Sequence, residues 1–293
     1  MQTKAGIGRQ QTAYSVGETA RQILKTQLLL IEVNAERAIR LRGTKAVHDL
    51  RVAIRRFRVA LRVFRDLMPL PAVKRLRQRF LLLNRRLGPI RDAQVWRGKL
   101  ARTVRRRRTP LPMDLNHCVQ AAEAACAQYV LTLKQVLKGA PFKNASECCQ
   151  QLRCDLPNRP FLAGKLHRAY KRLCLSGISF ADAKVEEVHA LRRRCRRVRY
   201  LSEFAGPVLG KPIHTLIRYL KRTSTALGER HDAEVQTRML NALKNPPEDI
   251  LARVARRKRE AQHEFDKAWR QLTAPPLRRR VLAELQAAKK GGT

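Results

Sequence analysis

The chain has 293 residues, 44% of them apolar, enough to bury one large core or two smaller ones. It carries 63 Lys and Arg against 23 Asp and Glu, a formal net charge of +40, and 45 of the 63 are Arg. Such an excess argues against an ordinary charge-balanced surface and points to a polyanionic partner; the Arg bias favours phosphate, which the planar guanidinium fork grips well.

The opening MQTKAGIGRQQTAY lacks the apolar stretch of a signal peptide, and the longest apolar run, LLLI at 28–31, is too short to span a bilayer, so a cytoplasmic, membrane-free protein is expected. Helical periodicity dominates and no alternating strand bounded by turn residues stands out, so the fold class is all-α. Breakers leave predicted helices at 16–42, 44–67, 72–87, 91–107 and 113–138 in the first half. The same punctuation then leaves 161–176, 180–205, 212–227, 230–244 and 248–272 in the second. A shift of about 140 positions lays one half on the other. VHDLRVAIRRFR at 47–58 falls on VHALRRRCRRVR at 188–199, matching at Val, His, Leu and four Arg. LGPIRDAQV at 87–95 falls on LGERHDAEV at 227–235, matching at Leu, Gly, Asp, Ala and Val. Two matches in the same order, at offsets of 141 and 140, indicate internal duplication. The expected layout is an N-terminal bundle over 1–141, a connector over 142–157, a C-terminal bundle over 158–275 and a basic tail over 276–293.

At about 100° per residue, His48, Arg51, Arg55, Arg58, Arg62 and Arg65 fall within an arc of about 100° on one helix. Leu50, Ile54, Phe57, Leu61 and Phe64 fill the neighbouring arc. One stripe packs and the other repels itself, because the acids that would normally be interspersed at i,i+4 are missing apart from Asp49 and Asp66. A polyanion would supply the missing charge. The second copy repeats the pattern with His189, Arg192, Arg196 and Arg199, but places Glu203 where Arg62 stands. Two bundles facing each other about a pseudo-twofold axis would line a basic central groove with these stripes.

In LG-x-x-[RH]-D, Gly88 and Gly228 are expected to end a helix in the left-handed conformation, and Asp92 and Asp232 to cap the next one or to orient a binding Arg. Arg91 is a further ligand candidate, with His231 in the equivalent place. His48-Asp49 and His231-Asp232 also spell the HD pair of metal-dependent phosphohydrolases, but their duplicated partners are His189-Ala190 and Arg91-Asp92, so neither pair survives in its twin. No catalytic residue, metal or cofactor is assigned. The seven Cys, at 118, 126, 148, 149, 154, 174 and 195, form no CxxC and have no His at zinc-ligand spacing, so free thiols are expected. Nonspecific nucleic-acid binding stays open as an alternative, since phosphate attraction serves DNA or RNA as well, although the stripes lack interleaved aromatics on which bases could stack.

VHDLRVAIRRFRVALRVF, LGPIRDAQV and their degenerate second copies, in this order, resemble the conserved histidine α-helical domain (CHAD) family over roughly residues 15–275. The resemblance implies two pseudo-twofold-related helical bundles whose basic surface binds inorganic polyphosphate and brings the protein to polyphosphate granules. The ligands it implies are His48, Arg51, Arg55, Arg58, His189, Arg192, Arg196 and Arg199. Many relatives carry an additional triphosphate-tunnel domain marked by ExExK; that motif does not occur here, so a stand-alone module without catalysis is expected.

Overall fold

A computed structural model describes residues 14–41, 44–104, 152–176, 185–242 and 248–290, together with Gln120, Glu147 and Cys149. The predicted helix at 113–138, apart from Gln120, and the Arg residues at 105–108 lie outside the described residues. The described chain is all-α: α1 (Val16–Leu41), α2 (Thr44–Val63), a 3-10 turn (Arg65–Leu67), α3 (Leu70–Val104), α4 (Asn158–Cys174), α5 (Val185–Ala205), a second 3-10 turn (Gly206–Val208), α6 (Lys211–Asn241), α7 (Glu248–Thr273) and α8 (Pro275–Lys290). The order helix, 3-10 turn, helix begins at 44, 65 and 70 and again at 185, 206 and 211, each start displaced by 141 residues.

Two compact units emerge, one of Met1–Arg21, Leu152–His231 and Arg256–Thr293, the other of Gln22–Gln151 and Asp232–Ala255. Each is therefore mostly one half of the sequence plus a piece of the other, and α1, α6 and α7 contribute residues to both.

In the Gln22–Gln151 unit, α2 buries Leu50, Ile54, Phe57 and Leu61 of the predicted apolar stripe and packs against α3; Phe64, the last of the stripe, is buried just beyond the helix end. Phe57 meets Phe80 edge to face at 4.8 Å between ring centroids. The expected break at Gly88 and Pro89 does not occur, and α3 runs through both residues. Pro89 removes one backbone donor at a cost of about 3 kcal/mol. On either side of it Leu76, Phe80, Leu83, Leu87 and Ile90 form one unbroken buried row, each worth about 1.5–3 kcal/mol, so packing carries the helix past the proline. Likewise α6 passes Gly228 without ending, with Leu216, Leu220 and Leu227 buried in line.

In the other unit, the start of α1 is pinned by a capping box. The Ser15 hydroxyl accepts from the Glu18 N–H at 3.2 Å, and the Glu18 carboxylate accepts from the Ser15 N–H at 2.9 Å. Val16 and Gly17 then donate to the carbonyls of Leu156 and Cys154 at 2.8 and 2.9 Å. A Cβ on Gly17 would stand 2.7 Å from the Cys154 nitrogen, so only glycine admits this approach. Helix α4 packs on α5 and on α8, and the buried Tyr170 hydroxyl donates to the Leu272 carbonyl at 3.1 Å. The expected basic tail is instead helix α8 for most of its length: Leu277, Val281, Leu285 and Ala288 recur at helical spacing and are buried, while Arg278, Arg279 and Arg280 occupy its other faces. Cys195 is fully buried, and burial pushes its thiol up to about 12, so it packs as an apolar group.

Candidate functional site

Both copies build the same local device from a basic helix and the glycine-bearing helix that follows it. In the first copy, Gly88 of α3 faces the guanidinium of Arg51: a Cβ there would lie 3.3 Å from Arg51 Nη1. In the second, Gly228 of α6 faces Arg192 in the same way, at 3.7 Å from its Nη2. Neither glycine ends a helix; Gly88 makes room for its arginine, whereas at Gly228 a Cβ would stand at ordinary contact distance. The capping role expected for Asp92 and Asp232 falls with them, since both lie inside continuous helices whose N–H groups are already bonded. Their second expected role, orienting Arg91, agrees with the electrostatics: Asp232, Asp92 and Asp49 all favour the charged form of Arg91 and oppose the effect of burial.

Equivalence extends to the histidines. His48 lies in the field of Arg91, and His189 makes an edge-on ring contact with His231, centroids 5.0 Å apart at 73°. Positions 91 and 231 thus serve corresponding histidines in the two copies. His48 keeps an exposed edge, yet the protein around it lowers its pKa through burial first, then through Arg91 and Arg55, with Asp49 opposing and Arg51 adding a smaller push. The net direction is downward, so at neutral pH His48 is mainly uncharged.

Along α2 the stripe Arg51, Arg55, Arg58 and Arg62 is half-buried, its side-chain stems lying over apolar surface. The Nε atoms of Arg55 and Arg58 are buried and make no hydrogen bond among the described residues. Burial, followed by the charges of Arg77, Arg62 and Arg85, pulls Arg58 down to about 10. Helix α2 ends at Val63, so Arg65 leaves the stripe; it lies in the 3-10 turn, exposed, and pairs with Asp66 at 3.1 Å. Arg56, although duplicated as Arg197, turns away to donate to the buried Gln27 at 3.1 Å.

The stripe of α5 has closer protein partners, although the Nε of Arg199 is likewise buried without a hydrogen bond among the described residues. Arg199 meets Glu203 at 3.7 Å and stacks over Tyr200, and Arg196 donates to the Arg192 carbonyl at 3.3 Å. Arg77 and Arg85 were not marked by the sequence reading. Their charges act on Arg58 of α2, and they share with Gly88 and Arg91 one face of α3 of about 120°, a grouping that gains meaning only once α3 packs on α2. Among the described residues no three His, Cys, Asp or Glu are grouped as a metal site, and no helix is long and apolar enough to cross a membrane.

An all-α chain whose helix, 3-10 turn, helix unit recurs at an offset of 141 residues, each time with a row of arginines on its first helix, belongs to the class of helical repeat modules. More particularly, the chain is a member of the CHAD domain family, whose model matches residues 22–241. Its fold is that of the crystal structure of the CHAD domain from the plant Ricinus communis, with a TM-score of 0.62 and 22% identity over 94% of this chain and 93% of that one. It is similar as well to PptA from Streptomyces chartreusis, with a TM-score of 0.58 and 14% identity over 94% of this chain and all of that one. No curated protein matches the sequence.

Proposed function

We propose that this protein binds inorganic polyphosphate, without chemistry on it, through the His and Arg side chains of its two duplicated basic helices, and that binding localises it to polyphosphate granules in the cytoplasm. The observation that carries the reading is the pair of buried Nε–H groups of Arg55 and Arg58, which have no hydrogen-bond partner among the described residues. A buried donor left unbonded costs about 1–3 kcal/mol, more on a charged group, and like charges alongside add to it. A ligand whose negative oxygens draw these half-buried side chains outward and bond their N–H groups removes both costs. Polyphosphate suits this demand: it is a thin single chain whose tetrahedral groups can reach between half-buried guanidiniums. A rigid duplex presents its phosphates on a broad cylinder and reaches only the exposed tips. Family membership supports the same ligand class.

The test is a titration of long-chain polyphosphate into the wild type and the Arg51→Gln, Arg55→Gln, Arg58→Gln triple variant. The variant is expected to stay folded and to lose most of its affinity. A folded variant that binds as well as the wild type would remove these arginines from the site.

A further inference from the structure

The two copies are unequal, and the difference is concentrated at one place. Around Arg58 the fold gathers Arg62 from the same helix and Arg77 and Arg85 from α3, and Arg77 in turn senses Arg62 and Arg65. No carboxylate is paired with Arg58, Arg62, Arg77 or Arg85 among the described residues, and the Nε atoms of Arg58 and Arg77 are buried without a hydrogen bond there. Shifted by 141 along the basic helix and by 140 along the glycine-bearing helix, the four positions become Arg199, Glu203, Ile217 and Thr225. Three of the four cations are gone, and the remaining one meets a carboxylate at 3.7 Å. Duplication does not require this quartet, and packing does not explain it, since four like charges repel. A ligand specific to the first copy does.

We propose that Arg58, Arg62, Arg77 and Arg85 form an anchoring subsite for a short run of phosphates, two or three in succession, present once per chain. The subsite rests on the polyphosphate reading and deepens it: short oligophosphates bind through the first copy alone, and longer chains are seated from it. Charge supports the length. Three linked phosphates with two ionising ends carry about four to five negative charges near neutral pH, against four guanidiniums. Reach agrees, because Arg77 and Arg85 are separated by about 12 Å along α3, which packs on α2, and the charges of both act on the half-buried Arg58. Each guanidinium offers its donors in a fixed fork, so the subsite selects by geometry as well as by charge.

The experiment is calorimetric titration of the full chain with inorganic tripolyphosphate at low salt, alongside long-chain polyphosphate. The wild type is expected to bind one tripolyphosphate per chain. The Arg77→Gln, Arg85→Gln variant should lose at least tenfold in affinity for it. The Arg75→Gln, Arg79→Gln variant, with the same charge loss at exposed positions of the same helix, should change less than about threefold. Arg77→Lys, Arg85→Lys keeps the charge without the fork; it should remain folded and still lose several-fold, which covers the case in which the Gln variant does not fold. Equal losses in the two Gln variants, or two equivalent sites per chain, would overturn the subsite. If long polyphosphate binds the wild type while tripolyphosphate ignores Arg77 and Arg85, the subsite alone fails. If neither ligand binds the wild type, the polyphosphate reading itself fails.

Discussion

Replacing Arg58 by Gln separates binding from stability more cleanly than any other single change. Its guanidinium is pulled well below its ordinary value, to about 10, chiefly by burial and then by Arg77, Arg62 and Arg85. A folded-state pKa below the unfolded value in a basic group means that the charged form is disfavoured by folding, so stability is lost as pH falls from the guanidinium's ordinary range down to about 10, and below that the loss is complete and constant through neutral pH. At full burial the shift would correspond to about 3 kcal/mol; Arg58 is only half-buried, and solvent screening reduces this to roughly 1–2 kcal/mol. The shorter Gln stem gives back about 0.5–1 kcal/mol of packing. The net expectation is a melting temperature unchanged or raised by about 2–4 °C. Binding should move the other way. One charge-assisted hydrogen bond is worth about 1.5–3 kcal/mol, so affinity for labelled long-chain polyphosphate should fall about 10- to 100-fold, and the slope of log K against log salt should flatten by roughly 0.7–0.9. Thermal denaturation and fluorescence anisotropy on the same preparation read both. A variant that melts well below the wild type while binding normally would show Arg58 to be structural and refute this reasoning.

Further outcomes follow from the same geometry. Gly17→Ala should destabilise markedly, by several degrees in a thermal melt, because the new Cβ meets the Cys154 backbone nitrogen at 2.7 Å. Gly228→Ala should raise the melting temperature by about 2 °C, the helix-propensity gain of about 0.5–1 kcal/mol, since Arg192 stands at an ordinary 3.7 Å; Gly88→Ala should gain less and weaken polyphosphate binding, because Arg51 at 3.3 Å must shift. His48 starts with a lowered pKa, so an arriving polyanion raises it and binding takes up protons; affinity should fall as pH rises from about 5 to 7, and His48→Gln should flatten that profile in calorimetry run in buffers of different ionisation heat.

Much of this was legible in the sequence because two helical stripes with period 3.6 leave a strong signature. The apolar row Leu50, Ile54, Phe57, Leu61 is fully buried as the spacing demands, and the offset of 141 between the two basic-helix motifs is the offset between element starts. Gly88-Pro89 and Gly228 misled for a physical reason. Local breaker rules count backbone cost, but a long row of buried side chains on both sides outweighs it, and the glycine answers to a neighbouring arginine that no local rule sees. The C-terminal segment read as a tail because its Arg and Lys runs mask Leu277, Val281 and Leu285, whose spacing is the helical one. Arg77 and Arg85 went unmarked because their meaning lies in the approach of α3 to Arg58, a tertiary fact.

The central claim, that the arginine stripes are built for polyphosphate rather than for phosphate backbones in general, is tested most directly by competition. Duplex DNA prebound to the wild type is challenged with long-chain polyphosphate at equal phosphate concentration near physiological salt, and the experiment is repeated with the Arg192→Gln, Arg196→Gln, Arg199→Gln variant. Polyphosphate is expected to displace DNA from the wild type, and the variant to lose much of this advantage. Equal affinity for the two polymers, unchanged by the variant, would contradict it.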